Sequence, residues 1–315
     1  MVLTLELNTK GNNEMATKNE EIKKALAEEM RAKMEQVDYR TWRKCWDSSN
    51  LRQQNLFTKK PYNGINEVMT SLTAAVKGFE SPFWGTFSQI NAKGGHVLKG
   101  EKATRIVFCE MKKYIKQNED GEEEEHRYFL YKEFKVFNVC QTSLKNNKEF
   151  FPEKEYINRN ETINEAELII KNSEAPVNFR DSDRAFYSPN LDLIVVPLKE
   201  QFTSTHAMYS TVMHEIAHST GHASRLNRFK NNKYKFGSRG YAFEELIAEY
   251  AAFLTCRELK IQNDEQTEEN AKYLKSWLTK LDDDYNYFFD AVSLATDASE
   301  YMLSYANTKM VSEAA

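Results

Sequence analysis

Hydrophobic residues recur along the chain with two periods, and the period distinguishes helical from strand-like stretches. Apolar residues at helical spacing predict helices over residues 20–37, 65–76, 161–171, 241–254, 265–281 and 284–294. Stretches dense in β-branched and aromatic residues predict strands over 106–108, 128–139, 177–179, 185–187 and 191–196. The order of these stretches predicts an α+β fold with mixed helices and strands in each half.

The length of 315 residues is typical of two domains. We predict a polar, disordered N-terminus over 1–19, a mixed α/β domain over 20–150, and a second domain over 155–315. The second domain combines a small sheet with several helices. An acidic run at 118–125 is interpreted as the solvated tip of a long hairpin.

The composition favours a protein of the cytoplasm. The chain contains no apolar run long enough to span a bilayer, and its first twenty residues do not resemble a secretory signal. Four scattered cysteines, without a C-x-x-C pair, are typical of buried thiols in a reducing compartment.

One short motif predicts metal chemistry. In His214-Glu215-x-x-His218, the two histidines are four residues apart, so a helix would place both imidazoles on one face, where they can bind one ion. Neutral imidazoles favour zinc, and a catalytic zinc site needs three protein ligands plus water. Glu215 is placed to act as a general base. In the alternative, this is a core helix whose histidines make ordinary hydrogen bonds.

The third ligand is predicted to come from the next helix. Glu245 and Glu249 lie one turn apart on one side of it, so Glu245 can complete a His-His-Glu set while Glu249 accepts a hydrogen bond from a ligand histidine. Glu244 is the fallback ligand. In the alternative, Glu245 and Glu249 both lie on a solvated face of an amphipathic helix. His222 follows Gly221, which is expected to end the motif helix, so we interpret His222 as a rim or supporting residue. The candidate hydrogen-bond donors beside the site are Tyr209, Arg225 and Tyr241.

Residues 40–105 carry eleven basic and four acidic side chains, an excess of seven positive charges in a chain of net charge −4. Aromatic residues are interleaved with these charges, a pattern that suits single-stranded nucleic acid, because lysines track phosphates while rings stack on bases. The alternative is that most of the rings belong to the core. The candidate contacts are Arg40, Trp42, Arg43, Lys44, Lys59, Lys60, Tyr62, Asn63, Trp84, Lys93, Lys99 and Lys102.

Both halves resemble ArdC-type antirestriction proteins. In the C-terminal half, the matching segments are 192–197, 209–211, 214–222, 225–226 and 241–249. In the N-terminal half, which also resembles TraC-type plasmid primases, they are 62–66, 84–90, 94–95, 99–102 and 137–139. The resemblance implies a single-stranded-DNA-binding domain followed by a zincin-like metallopeptidase domain. It also implies a cytoplasmic protein of a plasmid, phage or other mobile element that shields incoming single strands from nucleases.

The resulting hypothesis is a protein that binds single-stranded DNA and carries a zinc peptidase centre of His214, His218 and Glu245, with Glu215 as the base. Two alternatives stay open. One is a non-catalytic coat for single strands, with a metal that only braces the fold. The other is a regulatory protease that uses its first domain to locate a target on DNA.

Overall fold

The computed structural model describes residues 2–36, 52–117, 123–152, 158–229, 239–261 and 284–307. The chain divides into two compact units, one centred on Gln53–Phe151 and the other on Pro152–Lys280. Each unit combines helices with a sheet, which confirms the predicted α+β class. The helix predicted over 265–281, the tip of the acidic run at 118–122, and Arg40, Trp42, Arg43 and Lys44 lie outside the described residues.

The first unit is built on a four-stranded sheet in the order β1-β2-β4-β3. Strands β1 and β2 run parallel, and β4 is antiparallel to both of its neighbours. The elements of this unit are α1 (Val2–Met34), β1 (Gln54–Asn55), α2 (Gly64–Lys77), β2 (Phe83–Thr86), α3 (Phe87–Ala92), β3 (Thr104–Gln117) and β4 (Glu123–Asn138). The helix predicted at 65–76 and the long hairpin are thereby confirmed, whereas the sequence pattern did not identify β1, β2 or α3.

Both faces of the strand β2 are covered. Phe83 packs into one cluster with Leu56, Ile90 and residues beyond β4, whereas Trp84, the next residue, packs into another with Ala74 and Val136. Successive side chains of a strand point to opposite faces, so this division follows from the pleat of the sheet.

An amide side chain protects the outer edge of β3. Asn66 of α2 donates from Nδ2 to the carbonyl of Val107 at 2.6 Å and accepts from its N–H at 2.8 Å. The side chain thus takes the place of a neighbouring strand at this position.

Helix α1 begins at Val2, which differs from the disordered segment predicted over 1–19. Leu26, Met30 and Met34 of this helix are buried. Once such a packed turn exists, each further helical residue adds one backbone hydrogen bond, so the helix can continue beyond it.

The second unit has a three-stranded sheet in the order β5-β7-β6. Strand β5 pairs with β7 in parallel and β6 pairs with β7 antiparallel, so β6 lies at an edge. The elements are α4 (Asn164–Asn172), β5 (Val177–Arg180), β6 (Phe186–Ser188), β7 (Leu193–Pro197), α5 (Thr205–Ser219), α6 (Arg239–Glu258) and α7 (Tyr285–Asn307). The three predicted strands and the helices at 161–171 and 241–254 are confirmed to within a few residues.

Helix α5 carries the histidine motif and has well-defined ends. Ser204 caps its start by accepting from the N–H of Ala207 at 3.1 Å. The helix ends at Ser219, and Gly221 follows, where a Cβ atom would lie 2.6 Å from Cζ of Phe229. The Phe229 ring packs directly against this glycine, so a larger residue here would have to displace the end of that ring.

Within the described part of the chain, no helix combines the length and apolar character needed to cross a membrane.

Candidate metal centre

The two histidines of the motif meet on one face of α5. Atoms Nε2 of His214 and Nε2 of His218 are 3.1 Å apart, and the two rings stand at 87° to each other. Since an α-helix advances 100° per residue, a spacing of four brings the side chains back to nearly the same direction. The nitrogen atoms therefore converge on one point, as the sequence pattern predicts.

Glu245 of α6 completes the cluster. Its Oε2 lies 3.6 Å from Nε2 of His214, and its Oε1 lies 3.6 Å from Nε2 of His218. The three residues offer ligand atoms that all lie within 4.8 Å of one another. A tetrahedral ion with bonds of about 2.1 Å would separate its ligand atoms by about 3.4 Å, so the spacing and the N, N, O donor set fit a zinc-sized ion.

Two more carboxylates face the remaining imidazole nitrogens. Glu249 Oε2 lies 3.1 Å from Nδ1 of His214, and Glu244 Oε1 lies 3.6 Å from Nδ1 of His218. A carboxylate at Nδ1 holds the proton on that nitrogen, which leaves the lone pair of Nε2 directed at the metal position. Glu249 lies in its predicted supporting position. Glu244, the fallback ligand in the sequence, faces the far side of His218 instead.

A buried arginine fixes Glu244. The guanidinium of Arg228 donates to both carboxylate oxygens of Glu244, at 3.1 and 2.6 Å, and both side chains are almost fully buried. It also donates to the hydroxyl of Thr220 and to the carbonyl of Ala217. Arg228 thus connects the end of α5 to the carboxylate that contacts His218. Sequence reasoning did not find Arg228, and no motif spacing marks it.

The carboxylates change the proton affinity of the histidines. Burial lowers the pKa of His214, but hydrogen bonds to Glu245 and Glu249 outweigh burial, so its pKa is raised well above the ordinary value. Burial likewise lowers the pKa of His218, and hydrogen bonds to Glu244 and Glu245 raise it overall. Burial alone raises the pKa of Glu245, whereas hydrogen bonds from both imidazoles lower it strongly.

These shifts predict the pH dependence of metal binding. Protons on the imidazoles compete with the metal, and their raised pKa extends this competition above the ordinary histidine range. We therefore expect zinc affinity to keep rising as the pH increases above about 6.5, by up to about tenfold per pH unit for each displaced proton. Competition titrations against a fluorescent chelator measure this directly. An affinity that is constant above about pH 6.5 would contradict the prediction, and a Glu249→Gln variant should complete its rise at lower pH.

Glu215 and Tyr241 lie beside the three converging side chains. Glu215 follows His214 on α5, is 8% exposed, and its charge contributes to the raised pKa of His214 and of Tyr241. Burial raises the pKa of Tyr241, and a hydrogen bond to Glu245 raises it further, so the phenol keeps its proton. Of the three candidate donors in the sequence, Tyr241 is the one in contact with the cluster.

Tyr209 and Arg225 have other roles. The Tyr209 hydroxyl donates to Glu167 at 2.6 Å and accepts from the N–H of Ile163, which corrects the prediction that Tyr209 supports the metal position. The physical reason is its spacing of five residues from His214, which turns it about 140° around the helix. Arg225 donates to the carbonyl of Ser219 and forms a two-pronged ion pair with Asp192.

His222 lies past the end of α5. Its Nδ1 is 2.8 Å from the hydroxyl of Ser224 and 3.9 Å from a carboxylate oxygen of Asp192. The structure therefore places it beside the Asp192–Arg225 pair, and its predicted rim role stays a prediction.

The candidate nucleic-acid contacts differ in exposure. Trp84 is fully buried, and its indole N–H donates to Gln53, so it belongs to the core and cannot stack on a base, which corrects the prediction. Tyr62 is half-buried and packs against the Trp84 cluster. The exposed candidates are Lys59, Lys60, Asn63, Lys93, Lys99 and Lys102.

Each half of the chain matches a known protein family. The N-terminal domain of anti-restriction factor ArdC matches residues 20–137, and a zincin-like metallopeptidase matches residues 164–294. The metal-free crystal structure of the antirestriction ArdC protein from plasmid R388 is 31% identical, with a TM-score of 0.67 over 90% of this chain and 97% of that chain. The Mn(II)-bound structure of that protein gives the same identity and TM-score over 91% and 98%.

A DNA primase TraC of Escherichia coli is 32% identical over 304 residues, which is 90% of this chain and 28% of the primase. The chain spans less than a third of the length of the curated TraC relatives that it matches. The resemblance to the antirestriction family is thus confirmed. A manganese ion in an ArdC protein and the three converging side chains here together indicate a centre for a divalent metal.

Proposed function

Because the chain belongs to the family of ArdC antirestriction proteins, we propose that it binds and protects single-stranded DNA and hydrolyses peptide bonds at a zinc centre. The observation that carries the peptidase half is the convergence of His214, His218 and Glu245, with the Glu215 carboxylate close enough to raise the pKa of His214. We place its action in the cytoplasm of a cell that receives a mobile element.

The residues of the centre have separate tasks in this proposal. His214, His218 and Glu245 hold the ion, and zinc bound there would polarise a peptide carbonyl and make water more acidic. Glu215 accepts the proton of the attacking water and then passes it to the leaving amine. Tyr241 keeps its proton; its hydroxyl hydrogen-bonds to Glu245 in this structure and would turn to the oxygen on which negative charge develops.

The substrate would lie along the sheet edge. Strand β6 is antiparallel to β7 and forms an edge of the three-stranded sheet. An extended peptide can add to such an edge through backbone hydrogen bonds, which tolerate many side chains. This mode of binding suits a peptidase that acts on unfolded or flexible segments.

The DNA-binding half is supported by the exposed lysines of the first unit. Lys59, Lys60, Lys93, Lys99 and Lys102 are all exposed, in a region of the sequence with a large positive excess. We expect affinity for a single-stranded oligonucleotide to fall steeply with salt. A plot of the logarithm of affinity against the logarithm of salt concentration should have a slope of about −3 if four or five phosphates are contacted. Fluorescence anisotropy at several salt concentrations measures the slope. If the protein binds neither single-stranded nor double-stranded oligonucleotides, this half of the proposal is contradicted.

A second function, that of a non-catalytic coat with a structural metal, is favoured by one observation. The buried pair of Arg228 and Glu244 joins the metal position to the packing of α5 and α6, so an ion there would also brace the fold. Nuclease protection that survives removal of the metal, in a protein without hydrolytic activity, would favour this reading. A regulatory protease that finds its target on DNA would instead require both activities.

A further inference from the structure

Among the described residues of the first unit, four phenylalanines are well exposed, namely Phe57, Phe87, Phe108 and Phe134, and the first two follow neighbouring strands. Phe57 is 53% exposed and Phe87 is 56% exposed. A phenylalanine ring has no polar atom, so covering an exposed ring with an apolar or aromatic partner is favourable. Phe87 belongs to the aromatic residues that the sequence interleaves with basic charge over 40–105, whereas Phe57 was not singled out from the sequence.

The fold brings the two rings to the same end of the sheet. In the parallel pair of β1 and β2, Asn55 is opposite Trp84, so Phe57 and Phe87 both follow the carboxyl ends of neighbouring strands. A side-chain bond connects the two segments, since Nδ2 of Asn55 donates to Oε1 of Gln89 at 3.2 Å. The turn that carries Phe57 and the helix that begins with Phe87 are therefore held together.

The backbone beneath the rings is firmly fixed. The Asn55 carboxamide oxygen accepts from the N–H groups of Phe57 and Thr58, which defines the turn. Leu56 is fully buried and fills the space over Gly85, where a Cβ atom would lie 3.1 Å from a Leu56 methyl carbon. Because Leu56 occupies the interior, Phe57 remains on the surface. This anchoring limits the conformational entropy that a ligand must remove when it binds.

Positive charge lies next to the rings. The ammonium of Lys93 is 5.7 Å from the centroid of the Phe57 ring. Lys59 lies 4.1 Å from the centroid of Phe83, the buried ring beneath this surface, and also pairs with Glu149 at 3.4 Å. Lys60 follows and is exposed. A ligand with alternating flat rings and negative charges matches this arrangement, and single-stranded nucleic acid has that chemistry.

We propose that Phe57 and Phe87 form a stacking platform for the bases of single-stranded DNA, with Lys60 and Lys93 facing its phosphates. The inference rests on the proposed DNA binding and names the residues that perform it. It assigns the stacking to the two exposed phenylalanines in place of Trp84, which is buried. Stacking of this kind tolerates any base sequence, because every base has an aromatic face.

Alanine variants test the platform in the full-length protein. Phe57→Ala and Phe87→Ala should each lower affinity for an oligo-dT strand by about 5- to 150-fold, without changing the salt slope. Lys93→Gln should instead reduce the magnitude of the slope by about 0.7. Phe108→Ala is the matched control, because Phe108 is 57% exposed in the same unit but lies on β3, and its affinity should equal that of the wild type.

An abasic strand of the same length separates stacking from charge. The wild type should bind it more weakly than oligo-dT, and the phenylalanine variants should bind it as the wild type does. Phe57→Trp should restore most of the affinity that Phe57→Ala loses. Titration with an oligo-rU strand compares RNA with DNA as the ligand. We expect the DNA strand to bind at least as tightly as the RNA strand.

The possible failures are distinguishable. If the wild type binds oligo-dT and both alanine variants match it, the platform is wrong while the proposed DNA binding stands. If Phe108→Ala loses as much affinity as the others, the effect is not specific to this surface, which also overturns the inference. If the wild type does not bind oligo-dT, the proposed function itself fails.

Discussion

Replacing Glu215 with glutamine is expected to lower the rate of peptide hydrolysis by about 100- to 10,000-fold and to leave the metal in place. Glutamine has the shape of glutamate but cannot accept the proton that the proposed reaction requires. The converging ligand atoms belong to His214, His218 and Glu245, so metal content should not change. Cleavage of a quenched fluorescent peptide library and elemental analysis of the purified protein measure the two quantities.

Tyr241→Phe provides a comparison within the same site. It removes one hydrogen-bond donor and should reduce the rate while preserving the shape of its pH profile on the side governed by the base. Hydrolysis that continues unchanged in Glu215→Gln would refute the proposed role of Glu215. If the wild type with its metal cleaves peptides no faster than the same protein after a chelator has removed the metal, while single strands stay protected, the hypothesis of a non-catalytic coat replaces that of a peptidase.

Replacing Arg228 with methionine is expected to lower the free energy of unfolding by about 3–5 kcal/mol. The substitution removes the cation from a pair whose side chains are 3% and 4% exposed, and leaves the Glu244 carboxylate buried without its partner. Denaturant unfolding of the metal-free protein measures the loss. Arg225→Met is the matched control, because its partner Asp192 is 32% exposed and can be hydrated, so the loss should be smaller.

A double variant separates stability from metal binding. Combining Arg228→Met with Glu244→Leu removes both charges and should recover much of the stability. It should still weaken metal affinity by about 10- to 100-fold, because Nδ1 of His218 loses its acceptor. A double variant as unstable as Arg228→Met alone would show that the unpaired carboxylate is not the cause.

The metal centre was predictable where its geometry is local. The spacing of His214 and His218, and that of Glu245 and Glu249, specify directions around a helix, and a helix converts spacing into proximity. The contact between α5 and α6 required only that two amphipathic helices pack. Arg228 was not predictable because it follows a loop that folds back over the end of α5, and the path of such a loop depends on tertiary contacts such as that of Phe229 with Gly221.

For the aromatic residues of the basic segment, the sequence does not predict which rings are buried and which are exposed. Phe83, Trp84 and Phe87 lie within five positions, yet two are core residues and one is exposed. Alternation would normally separate the two classes, but both faces of β2 are covered, so the strand reads as a continuous apolar run. A ring that stacks on a ligand and a ring that fills a core are equally hydrophobic, and only burial distinguishes them.

The contact of Asn66 with β3 has a consequence for self-association. A long strand at the margin of a sheet can recruit a strand from another molecule and so begin an open-ended polymer. At Val107 the backbone groups available for such recruitment are already satisfied by the Asn66 carboxamide. Intermolecular pairing in register would first have to displace that amide, so this position acts as a built-in barrier to fibre growth.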